Sequence, residues 1–242
     1  MHLTKLTIYP ESFPTKECYP FSLPVLNLTK SIEFKTPVTF FVGENGTGKS
    51  TLLKAVTQKC SIHIWKDVER RRFHANKYAE ELYRYIDVQW AEGPVPGSFF
   101  ASEIFRDFAL ILDEWAAADP GMLKYFGGES LVTKSHGQCN MSYFKSRYQI
   151  KGLYLLDEPE TALSPRKQLE LLEILVETSR TGKAQFIIAS HSPILLALPG
   201  AAIFSFNHVP VKQVDYEETD YFKLYKDFLN NRERYLKPVD SR

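Results

Sequence analysis

The hydrophobic pattern changes period at clear places along the chain. Leu3 to Tyr9 and Ser31 to Phe34 alternate apolar and polar residues, and the stretch between them holds Pro10, Pro14, Pro20 and Pro24. Alternation with proline punctuation predicts irregular antiparallel strands. The apolar run Val38 to Val42 then ends at a glycine-rich turn, and helix-forming residues follow from Lys49 onward. That order predicts strand, loop, helix.

Further on, Trp65 to Gln89 is rich in charge with Phe73, Tyr78, Tyr83 and Tyr85 scattered through it, and is expected to be helical at least in part. Ser102 to Ala118 reads as an amphipathic helix, closed by a loop carrying Asp119-Pro120-Gly121 and Gly127-Gly128. "GLYLLDEPETALSPRKQLELLEILVETS" gives a strand, an acidic turn and a long helix, and "AQFIIASHSP" gives another strand ending in a polar turn. Strands alternating with helices imply a mostly parallel α/β sheet. Near the end, Tyr221, Leu224, Tyr225 and Phe228 recur at helical spacing, which predicts a final helix docked on the body.

Composition narrows the class. The 242 residues are 44% hydrophobic and 24% charged, enough to bury one sizeable core, and a single domain with insertions is expected. Lys and Arg exceed Asp and Glu by one, 30 against 29, so no global field draws the protein to nucleic acid or an acidic membrane. The run Arg70-Arg71-Arg72 reads as a solvated face. Cys18, Cys60 and Cys139 lie far apart and lack zinc spacing, which fits reduced thiols in the cytoplasm. No stretch approaches a membrane span or a signal-peptide core, and neither repeats nor sustained heptads are present.

Chemistry concentrates at three strand ends. Gly43-Glu44-Asn45-Gly46-Thr47-Gly48-Lys49-Ser50 satisfies the phosphate-loop pattern. Its glycines let successive N–H groups curl around phosphate oxygens, the helix start adds positive partial charge, Lys49 reaches the terminal phosphates, and Ser50 offers a hydroxyl to magnesium. A plain connecting turn would need neither the lysine nor the hydroxyl. After Leu153 to Leu156 come Asp157 and Glu158, adjacent carboxylates that repel unless a cation sits close. Asp157 suits magnesium, and Glu158 is free to orient a water for in-line attack. His191 ends the next strand, where its imidazole can meet the terminal phosphate or the attacking water.

"GENGTGKST", "LLDEPETALS" and "ASHSP", in that order, resemble the Walker A, Walker B, D-loop and H-loop motifs of ABC-class ATPases. The resemblance implies a P-loop fold of ABC ATPase type over residues 1–242, with an N-terminal antiparallel β part and a helical insertion at about 66–145 that carries the signature motif. It implies ATP and Mg2+ as ligands. Asn45, Gly46, Thr47, Gly48, Lys49, Ser50 and Thr51 would then bind the nucleotide, and Ser50 and Asp157 the metal. Lys134-Ser135-His136-Gly137-Gln138 falls where the family has its LSGGQ signature. Ser135, Gly137 and Gln138 match that pattern and His136 departs from it. In the family this segment meets ATP held by the opposite subunit, which implies an ATP-sandwiched homodimer. The glutamine-loop role falls to Glu103, which would also approach the metal, or to Gln89.

More narrowly, the chain is similar to small stand-alone bacterial ATPases labelled "AAA family ATPase" that carry an SHGE-type signature. An unknown protein partner follows from that resemblance. A transporter nucleotide-binding subunit and a DNA-repair or defence-associated ATPase are the alternatives, and a module that holds ATP without hydrolysing it is a third.

Overall fold

The computed structural model describes residues 1–65, 76–119, 121, 123, 128, 130 and 136–236. Arg70 to Arg72, Lys134 and Ser135 lie outside the described residues.

Six strands form the central sheet in the order β5 (Gly97–Ala101), β6 (Gly152–Asp157), β7 (Ala184–Ala189), β3 (Val38–Val42), β8 (Ala202–Ser205) and β9 (Lys212–Val214). All neighbours are parallel except the β8–β9 pair at the edge. A smaller antiparallel sheet pairs β1 (Leu3–Ile8) with β2 (Ser31–Glu33) on one side and β4 (Ile86–Trp90) on the other. The expected mostly parallel sheet with an N-terminal antiparallel part is the observed one.

The apolar runs of β3, β6 and β7 are continuous because these strands are covered on both faces. Successive side chains point to opposite faces of a strand. Phe40, Val42, Tyr154, Leu156, Phe186 and Ile188 accordingly join one core with residues of α3 (Ser102–Ala118), α4 (His136–Arg147) and α5 (Pro165–Arg180). Phe41, Leu153, Leu155 and Ile187 face the other way, into a second core with α2 (Lys49–Lys59) and the antiparallel sheet. Helix α2 thus packs against both sheets, which fixes the loop at its start.

Gln185 joins the two sheets. Its fully buried side chain accepts from the N–H groups of His2 and Leu3, both at 2.7 Å, and donates to the Leu3 carbonyl at 2.8 Å. Gln185→Ala strands these buried groups, and removing such partners costs about 1–3 kcal/mol per group. We expect a loss of about 3 kcal/mol, read as a lower denaturation midpoint with an unchanged slope.

Of the stretch expected to be helical at least in part between Trp65 and Gln89, residues 66–75 lie outside the described residues, Leu82–Tyr85 forms one 3-10 turn and Ile86 onward is β4. The insertion at 66–145 therefore holds strands of both sheets, β4 and β5, beside α3 and most of α4. The final helix α7 (Asp220–Asn230) forms as expected, yet its apolar face docks only through Tyr221 in the first turn: Leu224 and Tyr225 are 52% and 50% exposed. Among the described residues, no helix is long and apolar enough to cross a membrane. All three cysteines are free thiols.

Candidate functional site

Strands β3, β6 and β7 are parallel neighbours, so their carboxyl ends lie at one edge of the sheet. That edge is where open α/β sheets bind ligands. Gly43 to Gly48 follows β3, Asp157 and Glu158 close β6, and His191 follows β7. Backbone bonds continue the strand pairing into these loops: Glu158 N–H donates to the Ala189 carbonyl at 2.9 Å and Ser190 N–H to the Phe41 carbonyl at 3.1 Å.

The loop enters α2 through Gly48, whose φ of +101° lies in the left-handed region that favours glycine. Asn45 and Gly46 are exposed at its tip, and the Thr47 hydroxyl donates to the Glu44 carbonyl at 2.8 Å. Lys49 is buried. Its ammonium donates to the carbonyls of Gly43 at 2.6 Å and Glu44 at 2.9 Å. Burial pulls the Lys49 pKa down, while Glu158, Asp157, Glu44 and Glu160 push it back up. The Thr51 hydroxyl meets that of Tyr19 at 2.7 Å.

Ser50 and Asp157 come together across the two loops: the serine hydroxyl donates to Asp157 Oδ1 at 2.7 Å. Burial raises the Asp157 pKa, against the Ser50 bond and the Lys54 charge, which lower it. A cleft of about 530 Å³ opens here, lined by Ser50, Lys54, Glu103, Asp157, Glu158 and Ala162 among others. Glu103, in the first turn of α3, thus reaches the same cleft, whereas Gln89 stands in the β1–β4 ladder opposite Lys5. A hydroxyl and a carboxylate form a hard-oxygen pair of the kind magnesium takes when phosphates and waters supply its other ligands. Among the described residues no group of three or more His, Cys, Asp and Glu side chains could hold a metal. The donor set therefore fits magnesium brought with a nucleotide, and not an all-protein metal centre.

Asp157 and Glu158 point to different neighbours. Glu158 takes φ of +48°, a conformation rare for a residue with a side chain. Its Oε1 lies 3.1 Å from Nε2 of His191. Ser102 secures the turn by donating its hydroxyl to the Glu158 carbonyl at 3.0 Å. Glu160 secures the other side: its Oε1 accepts from the His191 N–H at 2.6 Å and the Ser190 hydroxyl at 2.9 Å. Burial raises the Glu160 pKa in spite of those bonds.

Gly137 and Gln138 open α4, behind the loop that follows Glu158. A Cβ on Gly137 would come within 2.9 Å of the Ala162 carbonyl, so only glycine allows this approach. Neither residue lines the cleft beside Ser50.

Sequence reasoning missed Glu160 and Tyr221. Glu160 was visible as the last acid of "DEPE". Tyr221 gave no separate signal, since an aromatic residue at helical spacing reads as packing.

Two segments match families of known proteins. Residues 139–197 match the family described as "AAA domain, putative AbiEii toxin, Type IV TA system", and residues 22–61 match one described as "AAA domain". The chain is 28% identical over 159 residues to the ferric enterobactin transport ATP-binding protein FepC of Escherichia coli (strain K12), covering 59% of this chain and 58% of that protein. It is 23% identical over 172 residues to the petrobactin import ATP-binding protein FpuD of Bacillus anthracis, covering 65% and 63%. The chain thus spans roughly three fifths of the length of these curated relatives. Among solved structures, cbiO1 of Clostridium perfringens, described as part of the ABC transporter complex cbiONQ, superposes with a TM-score of 0.53 at 17% identity, over 95% of this chain and 96% of that one. The chain thus shares the fold of that ABC transporter component.

Proposed function

We propose that this protein binds ATP and hydrolyses it to ADP and phosphate as an ABC-type ATPase, in an ATP-sandwiched homodimer that couples nucleotide state to a protein partner. One observation carries the reading: the Ser50–Asp157 and Glu158–His191 pairs stand at the same sheet edge as the glycine loop, at 2.7 and 3.1 Å.

In this reading Lys49 leaves the Gly43 and Glu44 carbonyls and turns to the terminal phosphates, while the loop N–H groups and the start of α2 hold the other oxygens. Ser50 and Asp157 hold Mg2+, with Glu103 at the rim of the cleft. The ion, when bound, supplies neutralisation of the phosphate charge. Glu158 orients a water for in-line attack and takes its proton as the oxygen–phosphorus bond forms, and ADP departs with the electrons of the broken bond. His191 faces the same water and the terminal phosphate. Ser135, Gly137 and Gln138 complete the site of a second copy.

The reading places the protein in the cytoplasm, among small bacterial ATPases whose signature carries a histidine. It is tested by phosphate release from purified protein: the expected result is turnover that requires both ATP and magnesium. No release with either copy number or magnesium raised would sink it.

A second reading, a nucleotide-binding subunit of a transporter, is favoured by the likeness to FepC, a transport ATP-binding protein, and FpuD, an import ATP-binding protein. The degenerate signature, with His136 departing from the family pattern, and Glu103 rather than a glutamine at the cleft count against it. Co-purification of the protein with an integral membrane protein distinguishes the two.

A further inference from the structure

Helix α7 reaches the site by its first turn. Thr219 caps it, accepting from the Phe222 N–H at 3.3 Å. Asp220 accepts from the Asn207 amide at 2.7 Å, and Asn207 in turn accepts from the Glu44 N–H at 2.8 Å. Tyr221 thereby enters the space between the glycine loop and the end of β7. Its hydroxyl lies beside Nδ1 of His191 and 3.0 Å from the Gly43 carbonyl, with its ring edge-on to the imidazole at 5.2 Å.

We propose that Tyr221 is a positioning residue for the ATPase reaction: its hydroxyl donates to Nδ1 of His191, holds the imidazole in the tautomer protonated at Nε2, and keeps that N–H aimed at Glu158 and the terminal phosphate. The proposal rests on the ATPase reading for its kinetic consequence but not for its geometry.

The protons assign themselves once the acceptors are counted. A carboxylate only accepts, so the 3.1 Å contact between Nε2 and Glu158 Oε1 places the proton of a neutral ring on Nε2. Nδ1 is then a lone pair that needs a donor, and the Tyr221 hydroxyl is the group beside it. The Gly43 carbonyl at 3.0 Å is a second acceptor within reach of the hydroxyl, but that oxygen already has a donor in the Lys49 ammonium at 2.6 Å, so Nδ1 is the acceptor that depends on the tyrosine proton. Burial, with Glu44, Asp220, Glu158 and Glu160 nearby, pushes the Tyr221 phenol up to about 12, so it keeps that proton at neutral pH. The main chain of His191 is fixed separately by Glu160, and so the tyrosine governs the ring and not the strand.

Tyr221→Phe removes the hydroxyl and keeps the ring contact. In the nucleotide-free protein, imidazole nitrogen resonances report the tautomer, and that of His191 is picked out from the six histidines by its absence in His191→Gln. We expect the Nε2-protonated form in the wild type and a mixture of tautomers in Tyr221→Phe. In turnover, kcat should fall about tenfold, the size expected for one hydrogen bond, with KM for ATP held within about twofold. Introduced into His191→Gln, the same change should cost nothing further, because the two side chains act as one unit. A tautomer unmoved by the substitution, a kcat within about twofold of wild type, or a loss of equal size in both backgrounds would each overturn the proposal. An inactive wild type would instead sink the ATPase reading, and the tautomer measurement would still decide the role of the hydroxyl.

Discussion

Glu158→Gln is expected to lower ATP turnover by about 100- to 1000-fold while leaving ATP and magnesium binding close to wild type. The amide has the shape of the carboxylate, and its oxygen can still accept from Nε2 of His191, which now stands 3.1 Å from Oε1. What the amide cannot do is take a proton from water. The neighbouring Asp157 does not substitute for it, because Asp157 is buried and bonded to Ser50, while Glu158 is half-buried and faces the histidine. Glu158 leaves the strand with a left-handed φ of +48° and its carboxylate stands by His191, away from the Ser50–Asp157 pair. If the homodimer reading is right, the variant with ATP should also accumulate as a dimer in sedimentation, since the bound nucleotide persists. Turnover within about threefold of wild type would assign proton transfer to another residue.

The reach of sequence reasoning follows from how each signal is encoded. The glycine loop and the two apolar strands before the acids and the histidine are local features, and a buried parallel strand writes itself as a continuous apolar run. The site's frame was therefore legible. Residues 86–90, "IDVQW", also carry the alternation of a strand, with Ile86 and Val88 turned inward and Asp87 and Gln89 out. That pattern is only five residues long and follows a charged, aromatic stretch of helical composition, which concealed it. The link between Tyr221 and His191 has no local signature. It joins residues 30 apart through a helix whose aromatic spacing predicts packing, and that prediction fails for Leu224 and Tyr225, which stay exposed. Gln185 is similar: a lone glutamine in "AQFIIAS" becomes informative only when β1, 182 residues away, is seen beside it.

Lys49→Ala should weaken ATP binding by about 100-fold or more, with a thermal midpoint within a few degrees of wild type. The two outcomes have separate causes. In the nucleotide-free protein the ammonium bonds to the carbonyls of Gly43 and Glu44, at 2.6 and 2.9 Å. These belong to the loop itself, so the helix and sheets that flank it keep their packing when the side chain is removed. Binding is another matter, because the triphosphate brings several negative charges to a place where Glu44, Asp157, Glu158 and Glu160 already act on Lys49. Lys49 is buried and is the cation that the loop itself carries. Hydrogen bonds to charged groups contribute about 1.5–3 kcal/mol each, and two of them account for a loss of that order. Lys49→Arg should recover little, since a planar guanidinium does not fit the space of a compact ammonium held between two carbonyls. Titration calorimetry with ATP and magnesium measures both variants. An affinity for Lys49→Ala within about threefold of wild type would mean that this loop does not hold the terminal phosphates.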